Sequence, residues 1–405
     1  MRRMRNIAVL LVAAALPLSA CGGTSSDTSK TVNVGVVIPL SGQNASIGNA
    51  IKKGYQLAEE QLNSANDKAL DQKVNFIFAD HGSKPEVGAN EAERLIADKN
   101  VVGLTGSYDS AVSLTVAQVA ERRGIPFVVP YSAANAITEQ GFKNTFRTRP
   151  PSRIWTTEIL NFFGSLKDSI GYDVKSMGVL GEDNEITTGM LADVKVAVPK
   201  TNMTLTSPSL YRSGTTDFLG VVKKMSDVQA IYGDSYLPDT INILRTMKAA
   251  GVHVPYVTIG TTLVHPELLK SPDVAENATG TSAWASDVGE GSKVFADAFE
   301  KKFNETPTDD SAYAYSAAYL FAEAVSTAKS SDPSKLLPVF RKHTFTNAEA
   351  NIIPTPDGSI SFDKKGQAVA NILVRQVQDG KFVTVYPEEN AAAPLKTGQW
   401  LPKSN

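Results

Sequence analysis

The amino-acid sequence predicts an α/β protein built from two doubly wound lobes. Segments with the pattern of strands and of helices alternate from Thr31 onward, and the alternation begins again after Pro151. The strand-like segments are apolar along their whole length, which is typical of parallel strands that helices cover on both faces. Residues 31–405 also exceed the length of about 250–300 residues at which a single hydrophobic core stops growing. Two lobes of the same type are therefore the simplest expectation.

The first lobe is predicted from four strands and the helices between them. Its strands are expected at 32–40, 73–80, 101–106 and 125–130, and its third helix at 111–123. The first helix, 46–63, has Ile47, Ile51 and Tyr55 at helical spacing, so these side chains share one face. The second helix has Pro85 in its first turn, a position that proline favours.

The second lobe is predicted from four more strands, at 176–182, 205–210, 230–236 and 256–262. Three helices follow, at 291–303, 311–328 and 333–342. The chain then returns to strands at 358–363, 368–378 and 381–387, with Asp357-Gly358 and Asp379-Gly380 as turns. The tail, 387–405, is rich in Ala, Pro and Lys, so we expect it to be disordered.

The N-terminal segment predicts export and a lipid anchor. Three arginines precede a short apolar run, residues 7–16, and small residues separate this run from Cys21. This is the layout of an export signal, and the run is too short to span a bilayer comfortably. Leu18-Ser19-Ala20-Cys21 resembles the lipobox of bacterial lipoproteins, in which the cysteine is lipidated and becomes the mature N-terminus. We expect a signal peptide at 1–20, a flexible tether at 21–30, and an extracytoplasmic protein anchored to the cell membrane through lipidated Cys21. The alternative is an ordinary secretory signal with a chance cysteine.

Charge and cysteine content narrow the classes of partner. Removing residues 1–20 takes three arginines from the 40 basic residues and none of the 42 acidic ones, so the formal charge changes from −2 to −5. A nucleic-acid-binding protein needs a basic surface, so we expect no nucleic-acid partner. Cys21 is the only cysteine, which excludes an internal disulfide, and no later apolar run is long enough to span a membrane.

The sequence lacks the motifs of common enzyme classes. It contains no G-x-x-x-x-G-K-[ST], no G-x-S-x-G, and no G-x-G-x-x-G after a strand. The histidines His81, His253, His265 and His343 are scattered and form no metal-binding motif. We therefore expect no catalysis, no cofactor and no metal ion.

Polar loops at the ends of the first-lobe strands predict a ligand site. In doubly wound sheets, ligands bind beyond the carboxyl ends of the strands, where the loops lead into helices. Three such loops contain Ser41, then Ser107, Tyr108 and Ser110, and then Tyr131, Ser132 and Ala133. Unpaired backbone N–H groups and the positive end of the helix dipole favour an anionic or strongly polar ligand group. Ser107 or Ser110 could instead serve only as an N-cap.

These segments resemble the branched-chain amino acid (Leu/Ile/Val) binding proteins of ABC importers. The resemblance is strong over VNVGVVIPLSGQNASIGNAIKKGYQLAEEQLN and GSYDSAVSLTVAQVAERRGIPFVVPYSAANAITEQGFKNTFRTRP, and looser over DFLGVVKKMSDVQAIYGD and INILRTMKAAG. It implies the type I periplasmic binding protein fold, in which two lobes joined by three chain crossings close on a small solute. The implied crossings fall near Arg149, Ala285 and residue 345. The N-terminal lobe is then 31–149 and 286–345, and the C-terminal lobe 150–285 and 346–386.

The resemblance also implies ligand contacts in both lobes. Ser110 matches a family serine that holds the ligand carboxylate, and Tyr131-Ser132-Ala133 matches an Ala-Ser-Thr turn that holds it as well. The family's ammonium partner is a glutamate in a G-P-E turn, for which this chain has Gly260-Thr261-Thr262. A buried ammonium without a carboxylate would cost several kcal/mol. Either another acid replaces the glutamate, with Asp234 as the best candidate, or the solute is not an α-amino acid.

Aromatic residues favour a planar or neutral solute. Tyr108 and Tyr131 lie in first-lobe loops, Tyr236 follows Asp234 closely, and Trp155 follows the first crossing. Aromatic faces pack on planar or sugar-like solutes, and tyrosine hydroxyls bond polar groups. At least one of these tyrosines is expected to belong to the core instead.

The sequence thus predicts a lipid-anchored, extracytoplasmic solute-binding protein of an ABC importer. A small polar solute, such as an amino acid, amide, polyol or aromatic acid, would be captured between the lobes and passed to the permease subunits. Asp234, Tyr236 and Thr262 would close over it from the second lobe. A ligand-sensing receptor component would share this fold, site and anchor, and an exported enzyme would need turnover of its solute. Both remain as alternatives.

Overall fold

The computed structural model describes residues 31–64, 72–206, 208–347 and 350–402. The predicted signal peptide (1–20), the predicted lipidation site Cys21 and the predicted tether (21–30) lie outside the described residues. Across the described ranges, helices flank two parallel β-sheets, and a small antiparallel sheet lies beside them. No helix in these ranges is long and apolar enough to cross a membrane.

The first sheet has five parallel strands in the order β2-β1-β3-β4-β5. They are β1 (Val32–Ile38), β2 (Val74–Asp80), β3 (Gly103–Gly106), β4 (Phe127–Val129) and β5 (Thr145–Arg147). Helices α1 (Ala45–Leu62), α2 (Pro85–Lys99) and α3 (Ser110–Arg123) connect the first four strands. The predicted strands and helices of this part of the chain are confirmed. The short strand β5 was not predicted, because three residues with polar ends carry no periodic pattern.

A second parallel sheet follows α4 (Ser152–Ile170) and has the order β10-β9-β6-β7, with β8 beside β6. Its strands are β6 (Ser176–Glu182), β7 (Thr204–Leu205), β8 (Ser209–Tyr211), β9 (Ala230–Asp234) and β10 (Tyr256–Thr258). Its helices are α5 (Glu185–Ala197), α6 (Leu219–Lys223) and α7 (Leu237–Ala249). The single strand predicted at 205–210 is wrong: β7 pairs with the start of β6 and β8 with its end. Pro208 lies between them and has no N–H to give to the ladder.

The third sheet is antiparallel and has the order β11-β12-β13. After α8 (Pro272–Ala275), it consists of β11 (Thr279–Ser282), β12 (Leu373–Gln378) and β13 (Lys381–Tyr386). Asp379 and Gly380 join the last two strands with φ of 53° and 72°, the positive values of a tight hairpin turn. The strand predicted at 358–363 is not formed. That segment makes isolated bridges instead, Ile360 with Phe345 and Phe362 with Ala368.

Three helices, α9 (Glu290–Phe303), α10 (Asp309–Ala328) and α11 (Pro333–Lys342), separate β11 from β12. Their predicted ranges are confirmed to within two residues. Helix α10 packs along α1, and Gly54 of α1 allows this close approach. An added Cβ at Gly54 would lie 2.2 Å from the carbonyl oxygen of Ser311, so any larger residue would push the two helices apart.

The tail is packed rather than disordered over its described part. Trp400 is 1% exposed and Leu401 is fully buried. The indole N–H of Trp400 donates to the carbonyl oxygen of Val274 at 2.8 Å. The prediction of disorder rested on the Ala, Pro and Lys content before Trp400. It failed because two large apolar side chains at the end of the segment are buried, Trp400 in one hydrophobic cluster and Leu401 in another.

Candidate ligand-binding cleft between the lobes

The loops at the carboxyl ends of the two parallel sheets enclose a cavity of about 70 Å³. A single water molecule needs roughly 10–15 Å³ of such space, so the cavity has room for several water-sized groups. Eight residues of the predicted ligand-binding set line it: Tyr108, Ser110, Tyr131, Ser132, Ala133, Asp234, Tyr236 and Thr262. The structure thus brings these residues from both sheets together around one space.

Three other predicted residues, Ser41, Ser107 and Trp155, are not among the residues that line the cavity. Ser41 is exposed and its backbone N–H donates to Asp80 at 3.2 Å. Ser107 is buried with a φ of 58°, and its carbonyl oxygen accepts from a hydroxyl of the neighbouring loop. Trp155 is fully buried in the core, and its ring lies 4.9 Å from the guanidinium carbon of Arg149. Trp155 thus packs against Arg149, which lines the cavity, whereas Ser41 lies at the surface.

Helix α3 begins at the cavity with its first N–H groups uncapped by a side chain. Asp109 occupies the N-cap position and makes no side-chain cap hydrogen bond, so neither Ser107 nor Ser110 is the N-cap. The hydroxyl of Ser132 is held inside the loops, donating to the carbonyl oxygen of Ser107 at 2.7 Å. The hydroxyl of Ser110 accepts a long bond of 3.4 Å from the backbone N–H of Ala134. Ser110 and the start of α3 are therefore the polar groups that this loop can offer a ligand.

Helix α7 offers a second N-terminus from the opposite side of the cavity. It begins at Leu237, directly after Tyr236, which lines the cavity, and its N-cap makes no side-chain hydrogen bond. Unpaired N–H groups and the positive dipole ends of α3 and α7 both border the same space. Two such ends favour an anionic or strongly polar group between them.

Asp234 contributes a carboxylate at the end of β9. Burial raises its pKa from 3.8 to about 6, and a hydrogen bond from Thr187 (2.7 Å from hydroxyl to carboxylate oxygen) opposes the shift. The neighbouring Glu182 raises the pKa further. At neutral pH the carboxylate is mostly ionised. It can therefore pair with a cationic group or accept hydrogen bonds from a solute.

A buried ionic cluster lies beneath the cavity floor. Arg149 lines the cavity, is 3% exposed and forms an ion pair with Asp309 of α10. Burial opposes the charge of Arg149, but Asp309, Tyr313 and Asp310 together outweigh it, so the pKa of the guanidinium is raised. The second oxygen of Asp309 accepts from Ser282 at 2.9 Å and from the backbone N–H of Ala283 at 2.8 Å. Asp309 therefore ties the segment after β5 to the segment after β11.

Asp310 is the second acid of this cluster. It is 1% exposed, and one of its oxygens accepts from the hydroxyl of Thr261, which lines the cavity, at 3.4 Å. The other oxygen has no hydrogen-bond partner. Burial raises the pKa of Asp310 to about 7, while Arg149 opposes the shift. The shift favours the neutral form of Asp310.

One hydrogen bond crosses the cleft beside the cavity. The hydroxyl of Tyr236, before α7, donates to Asp109, before α3, at 3.2 Å. The same carboxylate oxygen accepts from the amide of Asn44 at 2.9 Å. The rings of Tyr108 and Tyr236 also face each other, with centroids 6.4 Å apart. These contacts hold the loops of the two sheets together.

The family model described as periplasmic binding protein matches residues 31–381. The chain belongs to the periplasmic binding protein family. The resemblance to the branched-chain amino acid binding proteins is confirmed by curated relatives of the same description. Leu/Ile/Val-binding protein homolog 7 of Brucella abortus (strain 2308) is 25% identical over 401 residues, which cover 95% of this chain and 98% of the relative.

Solved periplasmic binding proteins share the fold. A leucine binding protein from Thermotoga maritima is 23% identical with a TM-score of 0.76, covering 87% of this chain and 97% of that one. A solute binding protein from R. palustris, solved with benzoate, is 18% identical with a TM-score of 0.76, covering 92% and 99%. These likenesses confirm the predicted type I fold of two α/β lobes. Because the family consists of binding proteins, the expectation that this chain is not an enzyme is also confirmed.

The described part of this chain shows no cluster of metal-ligating side chains. No group of three or more His, Cys, Asp or Glu side chains there could hold a metal ion. The sequence analysis missed Arg149, Asp309 and Asp310 as cleft residues. The signal for them was an arginine beside the first predicted crossing and two adjacent aspartates at the start of an otherwise apolar helix. Ionisable residues in apolar surroundings need partners: Arg149 pairs with Asp309, and its charge also opposes the raised pKa of Asp310.

Proposed function

We propose that this periplasmic binding protein captures a small polar solute between its two lobes and delivers it to the permease subunits of an ABC importer. One observation carries the proposal: a small cavity is enclosed between the carboxyl ends of two parallel sheets. The loops of each sheet contribute a helix N-terminus and polar side chains to it. A site divided in this way is complete only when the lobes are together, so binding and closure are linked. We also propose that the lobes divide as predicted from the sequence, with crossings near Arg149, Ala285 and residue 345.

The cavity's chemistry favours a solute with a carboxylate. Leucine and benzoate, named for two proteins of the same fold, share that group. The N-termini of α3 and α7 are suited to hold it, with Ser110 as a hydroxyl donor. Asp234 would then pair with an ammonium group of an amino acid, in place of the glutamate that the Gly260-Thr261-Thr262 turn lacks. A solute without an ammonium would leave Asp234 to accept a hydrogen bond from an amide or hydroxyl.

The direct experiment is a thermal-shift screen of residues 31–405. The panel contains leucine, isoleucine, valine, benzoate, amides, polyols and nucleosides. A solute at a hundred times its Kd adds about 2.7 kcal/mol to the free energy of unfolding, which raises the Tm of a protein this long by roughly 3 °C. We expect a carboxylate-bearing solute to give the largest shift. If no member of the panel shifts the Tm, solute capture in this cleft is not supported.

A matched pair of serine variants locates the bound solute. Ser110→Ala removes a hydroxyl that lines the cavity, whereas Ser169→Ala removes an exposed hydroxyl on α4. The solute found in the screen should lose its shift in Ser110→Ala and keep it in Ser169→Ala. Equal shifts in both variants would place the binding site elsewhere.

We further propose that residues 1–20 are removed and that Cys21 carries the lipid anchor. The lipobox-like sequence before Cys21 and the polar tether after it support this. Cells fed labelled palmitate should incorporate label into the protein, and Cys21→Ser should abolish it. An unlabelled protein released into the soluble extracytoplasmic fraction would instead identify an ordinary secretory signal.

A ligand-sensing receptor component is the second candidate, since it would share this fold and cleft. Co-purification of the solute-loaded protein with permease subunits supports the importer, and co-purification with a membrane receptor supports the sensor.

A further inference from the structure

A second cavity lies beside the segment that follows β11 and is separate from the ligand cleft. It has a volume of about 350 Å³ and shares no lining residue with the cleft cavity. Its walls come from the end of β11, the β12–β13 hairpin, and the connection between α9 and α10. Sites for small molecules typically enclose about 300–1,000 Å³, so this space is large enough for one.

One wall of the second cavity is apolar. Trp284 and Phe382 contribute aromatic rings, and Leu269 and Pro307 contribute aliphatic surface. Trp284 is 1% exposed, and Phe295 packs edge-on against its ring at 5.5 Å between centroids. The wall is therefore rigid and suited to the apolar body of a small molecule.

Arg375 of β12 brings a poorly compensated positive charge to this cavity. The side chain is 8% exposed, its Nη2 donates to the carbonyl oxygen of Phe382 at 3.1 Å, and its Nε has no hydrogen-bond partner. The carboxylate of Asp287 lies 3.8 Å away but already accepts two hydrogen bonds from Thr384. Burial lowers the pKa of Arg375, although Asp287 opposes the shift. A buried cation of this kind is stabilised by an anion with free lone pairs.

Trp284 brings a second unpaired donor. Its indole N–H has no hydrogen-bond partner. By contrast, the indole N–H of Trp155 donates to the carbonyl oxygen of Pro150 at 2.9 Å, and that of Trp400 donates to the carbonyl oxygen of Val274 at 2.8 Å. Buried N–H groups are nearly always paired, so two unpaired donors around one cavity call for an acceptor.

The acidic residues that line this cavity do not pair with the free donors of Arg375 and Trp284. Asp309 is one of them, but its oxygens are taken by Arg149, Ser282 and Ala283. The other lining residues with charge, Glu300 and Lys381, are exposed and carry opposite signs. The four charged lining residues therefore sum to no net charge, but the Nε of Arg375 and the indole N–H of Trp284 stay without a hydrogen-bond acceptor.

We propose that this cavity is a second binding site, for a small organic monocarboxylate. Its carboxylate would accept from Arg375 and from the indole N–H of Trp284, and its apolar body would lie against Phe382 and Leu269. Binding here is independent of solute capture in the cleft, so the two proposals can fail separately.

The experiment observes the three tryptophan indole N–H groups directly. Residues 31–405, which include every described element, are labelled with ¹⁵N-tryptophan, and each indole signal is assigned by replacing one Trp with Phe. Benzoate is then added to about 10 mM, a concentration that detects a Kd of about 1 mM or tighter. The Trp284 signal should move and saturate, and the Trp400 signal, whose donor is paired, should stay in place. Benzyl alcohol, a neutral molecule of similar shape, should move neither.

Variants assign the response to this cavity. Arg375→Met removes the charge with little change in volume and should raise the Kd read from Trp284 by about tenfold or more. Arg375→Lys keeps the charge and should give an intermediate Kd, which provides the test if the Met variant does not fold. Ser110→Ala, in the cleft, should leave the Trp284 titration unchanged.

Two outcomes would overturn the proposal. A Trp284 signal that does not respond to benzoate means that the donors hold water only. A response that is lost in Ser110→Ala but unchanged in both Arg375 variants would show that Trp284 reports occupancy of the cleft.

Discussion

Asp234 illustrates how a single buried carboxylate can shape a binding cleft at a cost in stability. Its carboxylate lines the cavity and is held by Thr187, yet burial raises its pKa to about 6. An acid whose pKa is raised by folding prefers to be protonated in the folded state. Its contribution to stability is therefore fully present when the pH is below the pKa of the unfolded chain. It is lost as the pH rises through the pKa of the folded chain. In the proposed function, the ionised form of Asp234 would pair with a cationic group of the solute or accept a hydrogen bond from it.

Asp234→Asn should remove this pH-dependent cost. In the native chain the cost accumulates between pH 3.8 and about 6, and a unit of pKa shift corresponds to about 1.4 kcal/mol. The free energy of unfolding of the wild type should thus fall by on the order of 2 kcal/mol between pH 4 and pH 7, and that of the variant should not. The asparagine can still accept the bond from Thr187. Urea unfolding of both proteins at a series of pH values measures the difference. Parallel stability curves would show that Asp234 ionises freely in the fold.

Single residues also show where sequence reasoning stops. The polar loops after the strands were predicted correctly, because the carboxyl ends of parallel strands must meet at one edge. Which atoms in those loops are free could not be predicted, since the hydroxyl of Ser132 is held by the loop carbonyls and Tyr131 is only 4% exposed. Arg149 and Asp310 were missed because their partners are far away in sequence. Hydrogen bonding between distant segments leaves no periodic signal.

At the scale of elements, local pattern was sufficient wherever an element is long. The helices α1, α9, α10 and α11 were predicted to within two residues because apolar side chains recur at helical spacing. The turn at Asp379-Gly380 was predicted because positive φ at both positions favours these residue types.

Short elements depend on contacts that local pattern does not encode. The segment 358–363 alternates like a strand but forms only isolated bridges among its described contacts, because no neighbouring strand runs alongside it. The tail has the composition of a disordered segment, yet Trp400 finds a buried partner in Val274. In both cases a distant part of the chain decides the outcome.

At the scale of the whole molecule, the lobes are held together by polar contacts around a small cavity. The amide of Asn135, in the proposed N-terminal lobe, donates to the carboxylate of Asp193 of α5, in the proposed C-terminal lobe, at 2.9 Å. Tyr236 and Asp109 make a further bridge between the loops of the two sheets. Bonds of this kind exist only when the lobes are closed, so each one biases the equilibrium between open and closed forms.

Tyr236→Phe tests that bias, with Tyr211→Phe as its matched control. Both changes remove a tyrosine–aspartate hydrogen bond: from Tyr236 to Asp109 across the cleft at 3.2 Å, and from Tyr211 to Asp239 within the second lobe at 3.1 Å. A hydrogen bond to a charged group contributes about 1.5–3 kcal/mol, and about 1.4 kcal/mol corresponds to tenfold in Kd. Tyr236→Phe should therefore weaken solute binding about tenfold and leave the Tm nearly unchanged. Tyr211→Phe should lower the Tm and leave the Kd nearly unchanged.

The radius of gyration separates lost closure from a lost ligand contact, because Tyr236 also lines the cavity. If its hydroxyl acts by holding the lobes together, ligand-free Tyr236→Phe should show a larger radius by small-angle X-ray scattering than the wild type. The ring itself is retained, so its packing against Tyr108 should persist once a solute is bound. A weaker Kd with an unchanged radius would assign the hydroxyl to the solute instead of to Asp109. An unchanged Kd would mean that the closed form does not depend on this bridge, and the hydrogen bond between Asn135 and Asp193 would then carry the closure.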